Sequence, residues 1–320
     1  MGDNTAIEWT DATWNPVTGC TKVSDGCKHC YAERDWARLS ANPATRYHGR
    51  AFTNVRCHDD VLGLPLRWRR PRRIFVNSMS DLFHQNVPDE FIDQVFAVMA
   101  LAPQHTFQVL TKRPERMLEW ATRIRRYEHR DGSVFHLNDR NVIVGYRDWP
   151  LPNVWLGVSV DDQFTADERI PLLLKAPAAV RWISAEPLLG PINLRLFLSF
   201  VTHGRGGPHK ETGGLDWVVC GGESGPKARP MHPFWVRSLR DQCAAAGVPF
   251  LFKQWGEWGL LCDFPGADKH GVIKQPVASL MGPQNAPLSD FEWMAKIGKK
   301  AAGRLLDGKL HDDYPRQGAA

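Results

Sequence analysis

The sequence predicts an α/β protein: a partial or full (β/α) barrel of parallel strands, built as one domain with loop insertions. Three observations predict it. Short apolar runs recur along the chain. They are nearly continuous rather than alternating, the pattern of strands buried on both faces. Amphipathic helical patterns separate several of them, as in successive βαβ units.

Taken in order, a first strand is expected between Thr10 and Val17. Six further runs follow at residues 73–81, 106–114, 154–162, 181–187, 217–225 and 249–256, most of them ending in polar residues. From Pro88, apolar side chains fall at 91, 92, 95, 96 and 99, with acids in the first turn, which predicts a helix. The segment from Pro114 reads the same way. So does the one from His232, closing on Gly247 as a C-cap. A weaker helix is expected between Asp162 and Arg181. Right-handed crossovers place such helices outside the curve of the sheet. No GxGxxG follows the first strand, which weighs against an open doubly wound sheet.

Residues 1–260 are assigned to the barrel, and residues 261–320 to a C-terminal extension packed on it, ending in a short helix and a turn. Insertions are expected near 127–152, read as polar and irregular, and near 191–215. The second begins with a helical NLRLFLSF and continues as a mobile loop, THGRGGPHKETGG.

Composition narrows the class. The chain has 320 residues, 43% hydrophobic and 23% charged, as soluble globular proteins do. No apolar run approaches the roughly 20 residues of a membrane helix. The N-terminus lacks the basic and apolar regions of a secretory signal. A cytoplasmic protein without a membrane partner is expected. The net charge is +5. Five arginines, Arg67, Arg69, Arg70, Arg72 and Arg73, fall within seven residues. Such a run can hold the phosphates of a nucleic acid; it can equally be a solvated linker.

Barrel sites lie at the C-terminal ends of the strands. Polar residues gather there: Ser78, Ser80 and Asp81; Lys112 and Arg113; Ser159 and Asp161; Glu186; Glu223; Lys253. Glu186 and Lys253 sit in apolar contexts, where a charge needs a partner or a cavity. Lys112, Glu186, Glu223 and Lys253 are the catalytic candidates. Paired as carboxylates, Glu186 and Asp161 would suit a barrel hydrolase, but that leaves the cysteines incidental.

There are seven cysteines. Three of them, Cys20, Cys27 and Cys30, lie within GCTKVSDGCKHCYAE. In a reducing cytosol such a cluster reads as metal-binding or catalytic. Thiolates take soft metals. A structural zinc site wants a fourth ligand, for which His29, Cys57 and His58 are candidates. A [4Fe–4S] cluster held by three cysteines keeps one iron for a small molecule.

The stretch WNPVTGC-x6-CKHCYAER resembles the cluster loop of radical S-adenosylmethionine (SAM) enzymes, and its CYA continuation resembles the photoproduct-lyase-like branch. The whole chain resembles a phage- and prophage-borne family of radical-SAM-like proteins with this motif, through IEWTDATWNPVTGC, LTKRPERM, WLGVSVDD, RWISAEPLLGPI, CGGESGPKARPMHP, PFLFKQWGEW and GKKAAGRLLDG. The resemblance implies that Cys20, Cys27 and Cys30 bind a [4Fe–4S] cluster. SAM chelates its fourth iron, and one-electron cleavage of SAM starts hydrogen abstraction from a substrate. It implies SAM contacts among Ser78, Ser80, Asp81, Ser159, Asp161 and Glu186. It also implies an electron-donor protein, and a partner encoded nearby. The sequence departs from the superfamily pattern in three places. Six residues, not three, separate the first two cysteines. His29 replaces an aromatic residue. Gly221-Gly222-Glu223 follows the sixth strand instead of the second. A nucleic-acid base or nucleotide is the expected substrate. A non-catalytic zinc or iron–sulfur protein that binds nucleic acid is the alternative.

Overall fold

The computed structural model describes residues 5–128, 134–137, 143–146, 149–198, 201–204, 207–210, 213–260, 274–276 and 293–316. Seven parallel strands form one sheet. They are β1 (Ala12–Trp14), β2 (Arg73–Val76), β3 (Thr106–Thr111), β4 (Val154–Val160), β5 (Val180–Ala185), β6 (Trp217–Gly221) and β7 (Phe250–Gln254). Their order in the sheet is their order in the chain. A doubly wound sheet reverses direction at a switch point; this one never does. The winding is therefore that of a partial (β/α) barrel.

Each strand sits where a continuous apolar run predicts it. All seven residues of β4 and all five of β6 are buried. Five helices are long enough to organise the fold: α1 (Tyr31–Ala41), α2 (Asp89–Leu101), α3 (Pro114–Thr122), α4 (Gln163–Lys175) and α5 (Pro233–Ala246). The helix ends follow their chemistry. Asp89 and Glu90 fill the first turn of α2, where carboxylates suit the helix dipole. The His232 ring accepts the Phe234 N–H at 3.0 Å to cap α5, and Gly247 closes it at φ 64°.

The chain divides into two compact units. The first comprises residues 1–23, 32–158 and 169–182. Here Ala12 pairs with Ile74, Arg73 with Thr106, and Phe107 with Val154, which fixes the register of β1 to β4. Its core is aromatic. Trp9 packs on Phe75 and on the edge of Trp182, with ring centroids 4.6 and 5.2 Å apart. Between α2 and α3, Asp93 accepts the Trp120 indole N–H at 2.9 Å, and Asp89 receives both Arg116 and Arg123. The second unit comprises residues 24–31, 159–168 and 183–320. Val218 pairs with Phe250, and the register shifts at Cys220/Gly221. The free edge of β7 is covered by the tail: the Phe252 N–H donates to the His311 carbonyl at 2.9 Å, and Leu251 bridges Asp312. A covered edge cannot template pairing with another chain.

Three local expectations are corrected. The region near 127–152 is not simply irregular: Arg125–Glu128, Val134–Leu137 and Ile143–Tyr146 form a three-stranded antiparallel sheet. Within THGRGGPHKETGG, Val201–Gly204 and Gly207–Lys210 pair antiparallel instead of forming a loop. The described part of NLRLFLSF makes a turn, not a helix. Each of these strands is four residues long and set among polar residues, so antiparallel pairing decides them. Cys262 and most of residues 261–292 lie outside the described residues. Among those described, no helix is long and apolar enough to cross a membrane.

One glycine is dictated by packing. A Cβ on Gly157 would stand 2.5 Å from the Trp182 indole. Gly157→Ala is expected to destabilise the protein by about 1–3 kcal/mol through overpacking, read as a lower urea midpoint. An unchanged midpoint would show that the indole yields freely.

Candidate functional site

In the first unit, the chain leaves β1 at Asn15 and reaches Cys20 after one short strand, Val17–Thr18. It is sewn to the loop after β2. The Ser80 hydroxyl donates to the Val17 carbonyl at 2.8 Å, the Gly19 N–H to the Met79 carbonyl at 3.1 Å, and Gly19 bridges Ser80. Asn15 Oδ1 accepts the Ser78 hydroxyl at 3.2 Å and the Met79 N–H at 3.0 Å. Ser78 and Ser80 thus anchor the cysteine-bearing segment.

Asp81 organises this side. Its Oδ1 accepts the Thr111 hydroxyl at 2.7 Å and the Phe83 N–H at 3.0 Å. Its Oδ2 accepts the Lys112 N–H at 3.0 Å and the Arg113 guanidinium at 2.9 Å. A carboxylate offers about four acceptor sites, so these contacts occupy it. Arg113 carries the order onward. It donates to the Thr21 carbonyl and hydroxyl, both at 3.0 Å, and lies 3.6 Å from Cys20 Sγ. Burial disfavours its charge, but Asp81 and Cys20 outweigh that and raise its pKa above the ordinary arginine value. His84 completes the group. Its Nδ1 accepts the Asn86 N–H at 3.1 Å, so Nε2 carries the proton given to Thr21 at 2.9 Å. Burial, then Arg113, lowers the His84 pKa, which keeps that ring neutral.

Two of the fourth-ligand candidates, Cys57 and His58, lie in the first unit on and beside the short strand Arg56–Cys57. Burial pushes the Cys57 thiol up to about 11, helped by Asp59. His58 Nε2 is 2.7 Å from the Thr18 hydroxyl, which also accepts Arg50 at 3.0 Å. Burial, then Arg46 and Arg50, lowers the His58 pKa to about 4.

In the second unit, Cys27 ends a 3-10 turn, Asp25–Cys27, and Cys30 immediately precedes α1. Two carboxylates hold this turn. Asp161, 1% exposed, accepts the Ser24 hydroxyl at 2.6 Å and the Gly26 N–H at 3.2 Å. A Cβ on Gly26 would lie 2.1 Å from Asp161 Oδ1, so only glycine allows this approach. Glu223 acts at one remove. Arg229 grips it with contacts of 2.7 and 2.9 Å, and reaches Asp25 Oδ2 at 2.9 Å and the Asp25 carbonyl at 3.0 Å. The hydrogen bond from Glu223 is the first cause of a raised Arg229 pKa. Ser159 is buried and donates to the Glu186 carbonyl at 3.3 Å. The Glu186 carboxylate pairs with the Lys253 ammonium, their side chains 19% and 14% exposed.

The sequence-predicted residues therefore sort into two kinds. Asp81, Asp161 and Glu223 brace the thiol-bearing loop, and Asp161 and Glu186 serve different partners. Glu186, Lys253 and Lys112 remain the candidates for a small molecule. Arg229 and Gly26 were not anticipated, and Arg113 stood only in the polar ring. A glycine one residue before Cys27 was the available signal.

Cys20 belongs to the first unit, Cys27 and Cys30 to the second. None of the three is in a disulfide, and each is of intermediate exposure. Among the described residues, no three of His, Cys, Asp and Glu are grouped as a metal would hold them. The donor chemistry itself fits a soft metal or an iron–sulfur cluster: three cysteine sulfurs, one of them 3.6 Å from the Arg113 guanidinium.

Fold and site define an α/β protein with a thiol-bearing loop at the strand ends. The chain belongs to the family described as "Protein of unknown function (DUF5131)", whose model matches residues 4–315. No curated protein matches it. Among solved structures it is similar to a Cys-to-Ser mutant of spore photoproduct lyase, with TM-score 0.35 and 11% identity, covering 66% of this chain and 55% of that one. It is also similar to a Tyr-to-Phe mutant, with TM-score 0.33, 10% identity, and coverage of 65% and 54%. For the lyase complexed with dinucleoside spore photoproduct, TM-score is 0.36 at 10% identity, covering 91% and 70%. The chain thus spans little more than half the length of the first two.

Two predictions follow from these contacts. Gly26→Ala must displace Asp161 and release the turn; amide exchange over Ser24–Cys27 should rise at least about tenfold, local protection reporting local stability. Equal exchange would remove Asp161 as the brace. The lowered His58 pKa makes a pH-dependent contribution. The unfolded imidazole protonates near 6.5 and the folded one near 4, so the stability His58 contributes is present above pH 6.5 and is lost as pH falls toward 4. His58→Gln should therefore flatten the fall of the urea midpoint over that window. An identical pH profile would contradict it.

Proposed function

We propose that the protein is a radical SAM enzyme, with Cys20, Cys27 and Cys30 holding a [4Fe–4S] cluster. One observation carries the reading: three cysteines, none in a disulfide, share a loop after β1, and buried strand-end carboxylates serve to hold it. A structural zinc clip commonly takes four protein ligands, whereas the loop supplies three cysteines, the number that leaves one iron of a [4Fe–4S] cluster open. When bound, the cluster and SAM supply one-electron cleavage of the sulfonium and, from it, hydrogen abstraction.

The chain's own residues do the rest. Asp81 and Arg113 fix Cys20 against Thr21 and keep a positive charge beside its sulfur. Asp161 and the Arg229–Glu223 pair hold the Cys27 turn. Glu186 and Lys253 form an ion pair at the strand ends; a zwitterionic group can enter it by exchanging one partner for each of its own charges. The substrate class that fits the loop's resemblance is a nucleic-acid base or nucleotide, and the electron comes from a separate donor protein.

The test is anaerobic incubation with SAM and dithionite. Formation of 5′-deoxyadenosine is expected, and its loss on Cys27→Ala. Protein that carries zinc and leaves SAM intact would instead support a non-catalytic metalloprotein. Lys253→Met should lower deoxyadenosine formation at least about tenfold while leaving the iron content unchanged. Unchanged turnover would remove Lys253 from the site.

A further inference from the structure

The arginine run is at the wrong end of the sheet to serve the cysteine loop. Arg67 to Arg72 precede β2, whereas Asn77 to Asp81 follow it. Five residue-to-residue steps of extended chain separate Arg72 from Asn77, about 16 Å. In the first unit the arginines thus gather at the N-terminal ends of the strands, and Cys20, Asp81 and Arg113 at the C-terminal ends.

This patch has features a plain solvated linker does not need. The chain carries 40 Lys and Arg against 35 Asp and Glu. Removing these five arginines leaves the remainder balanced, so the run equals the whole formal excess of positive charge. Arg67, Arg69 and Arg70 are exposed. Arg72 is stacked over the Trp68 ring at 5.1 Å, and Trp68 is braced edge-on by His105 at 6.1 Å. The Gln104 side chain donates to the Trp68 carbonyl at 3.3 Å. A stacked guanidinium is already oriented, so it loses little freedom on meeting a phosphate. Arg73 is committed to Asp11 at 3.0 Å and secures the base of the patch. All five residues are arginine and none is lysine. A lipid surface is served by either cation; forked contacts to phosphodiester oxygens favour arginine.

We propose that Arg67, Arg69, Arg70 and Arg72, organised on Trp68, form a docking site for the phosphodiester backbone of single-stranded nucleic acid, separate from the thiol-bearing end. The site does not depend on the cysteines or on the reaction they support.

The probe is a fluorescein-labelled 20-nucleotide oligothymidylate, followed by anisotropy from 50 to 200 mM NaCl. Binding should weaken steeply with salt. Each phosphate contact contributes about 0.7 to the logarithmic slope for single strands. Arg67→Ala/Arg69→Ala/Arg70→Ala should therefore reduce the slope by about 2. The charge-conserving Arg67→Lys/Arg69→Lys/Arg70→Lys should keep most of it, which separates lost contacts from lost folding. Cys27→Ala should bind like wild type, whatever its effect on SAM. Three results would overturn the proposal: no binding at 50 mM NaCl, an alanine variant with the wild-type slope, or arginine-dependent binding to phosphatidylserine vesicles but not to the oligonucleotide.

Discussion

A buried carboxylate must have its oxygens hydrogen-bonded, and that constraint shapes the thiol-bearing loop. Taking an ion out of water costs several kcal/mol unless donors replace the lost hydration. Asp81 and Asp161 are 5% and 1% exposed. Asp161 takes donors from the loop itself, Ser24 and Gly26, whereas Asp81 takes its donors from the loop after β2 and from the end of β3 onward, and one of them, Arg113, reaches on to Thr21 and Cys20. Placing the carboxylates on strand ends gives the loop fixed points. The loop in turn relieves the cost of burying Asp161.

This dependence explains the division of labour among the polar residues. A carboxylate with its acceptors occupied cannot also bind a ligand without releasing what it holds. Asp81, Asp161 and Glu223 are positioning residues. The Glu186–Lys253 pair is different, because each charge answers the other and both keep some access to solvent. Chemistry is better placed on such a pair than on a brace.

The main sheet was legible because its strands are nearly unbroken apolar runs, α2 because its apolar residues fall at helical spacing behind a proline and two acids, and α5 because it ends on a capping glycine. The cysteine cluster was legible from spacing alone. Side-chain partnership was not. Asp161 and Glu223 read as ligand candidates because sequence shows a carboxylate at a strand end, but not what it accepts. Gly157 was silent because its role is the absence of a Cβ, which only a neighbour reveals, and Gly26 was marked by nothing beyond its place before Cys27. Arg229 meets Asp25 across 204 positions of sequence. The strands within 125–146 and 201–210 were hidden because each is only four residues long and set among polar residues, and their pairing is local.

The central claim is that the braced loop holds an iron–sulfur cluster with one iron left for SAM. Electron paramagnetic resonance of the anaerobically purified, dithionite-reduced protein, recorded with and without SAM alongside metal and sulfide analysis, tests it most directly. The account predicts about four irons per chain for a [4Fe–4S] cluster and a reduced-cluster signal that changes when SAM is added. One zinc per chain with no iron, or a cluster signal indifferent to SAM, would contradict it.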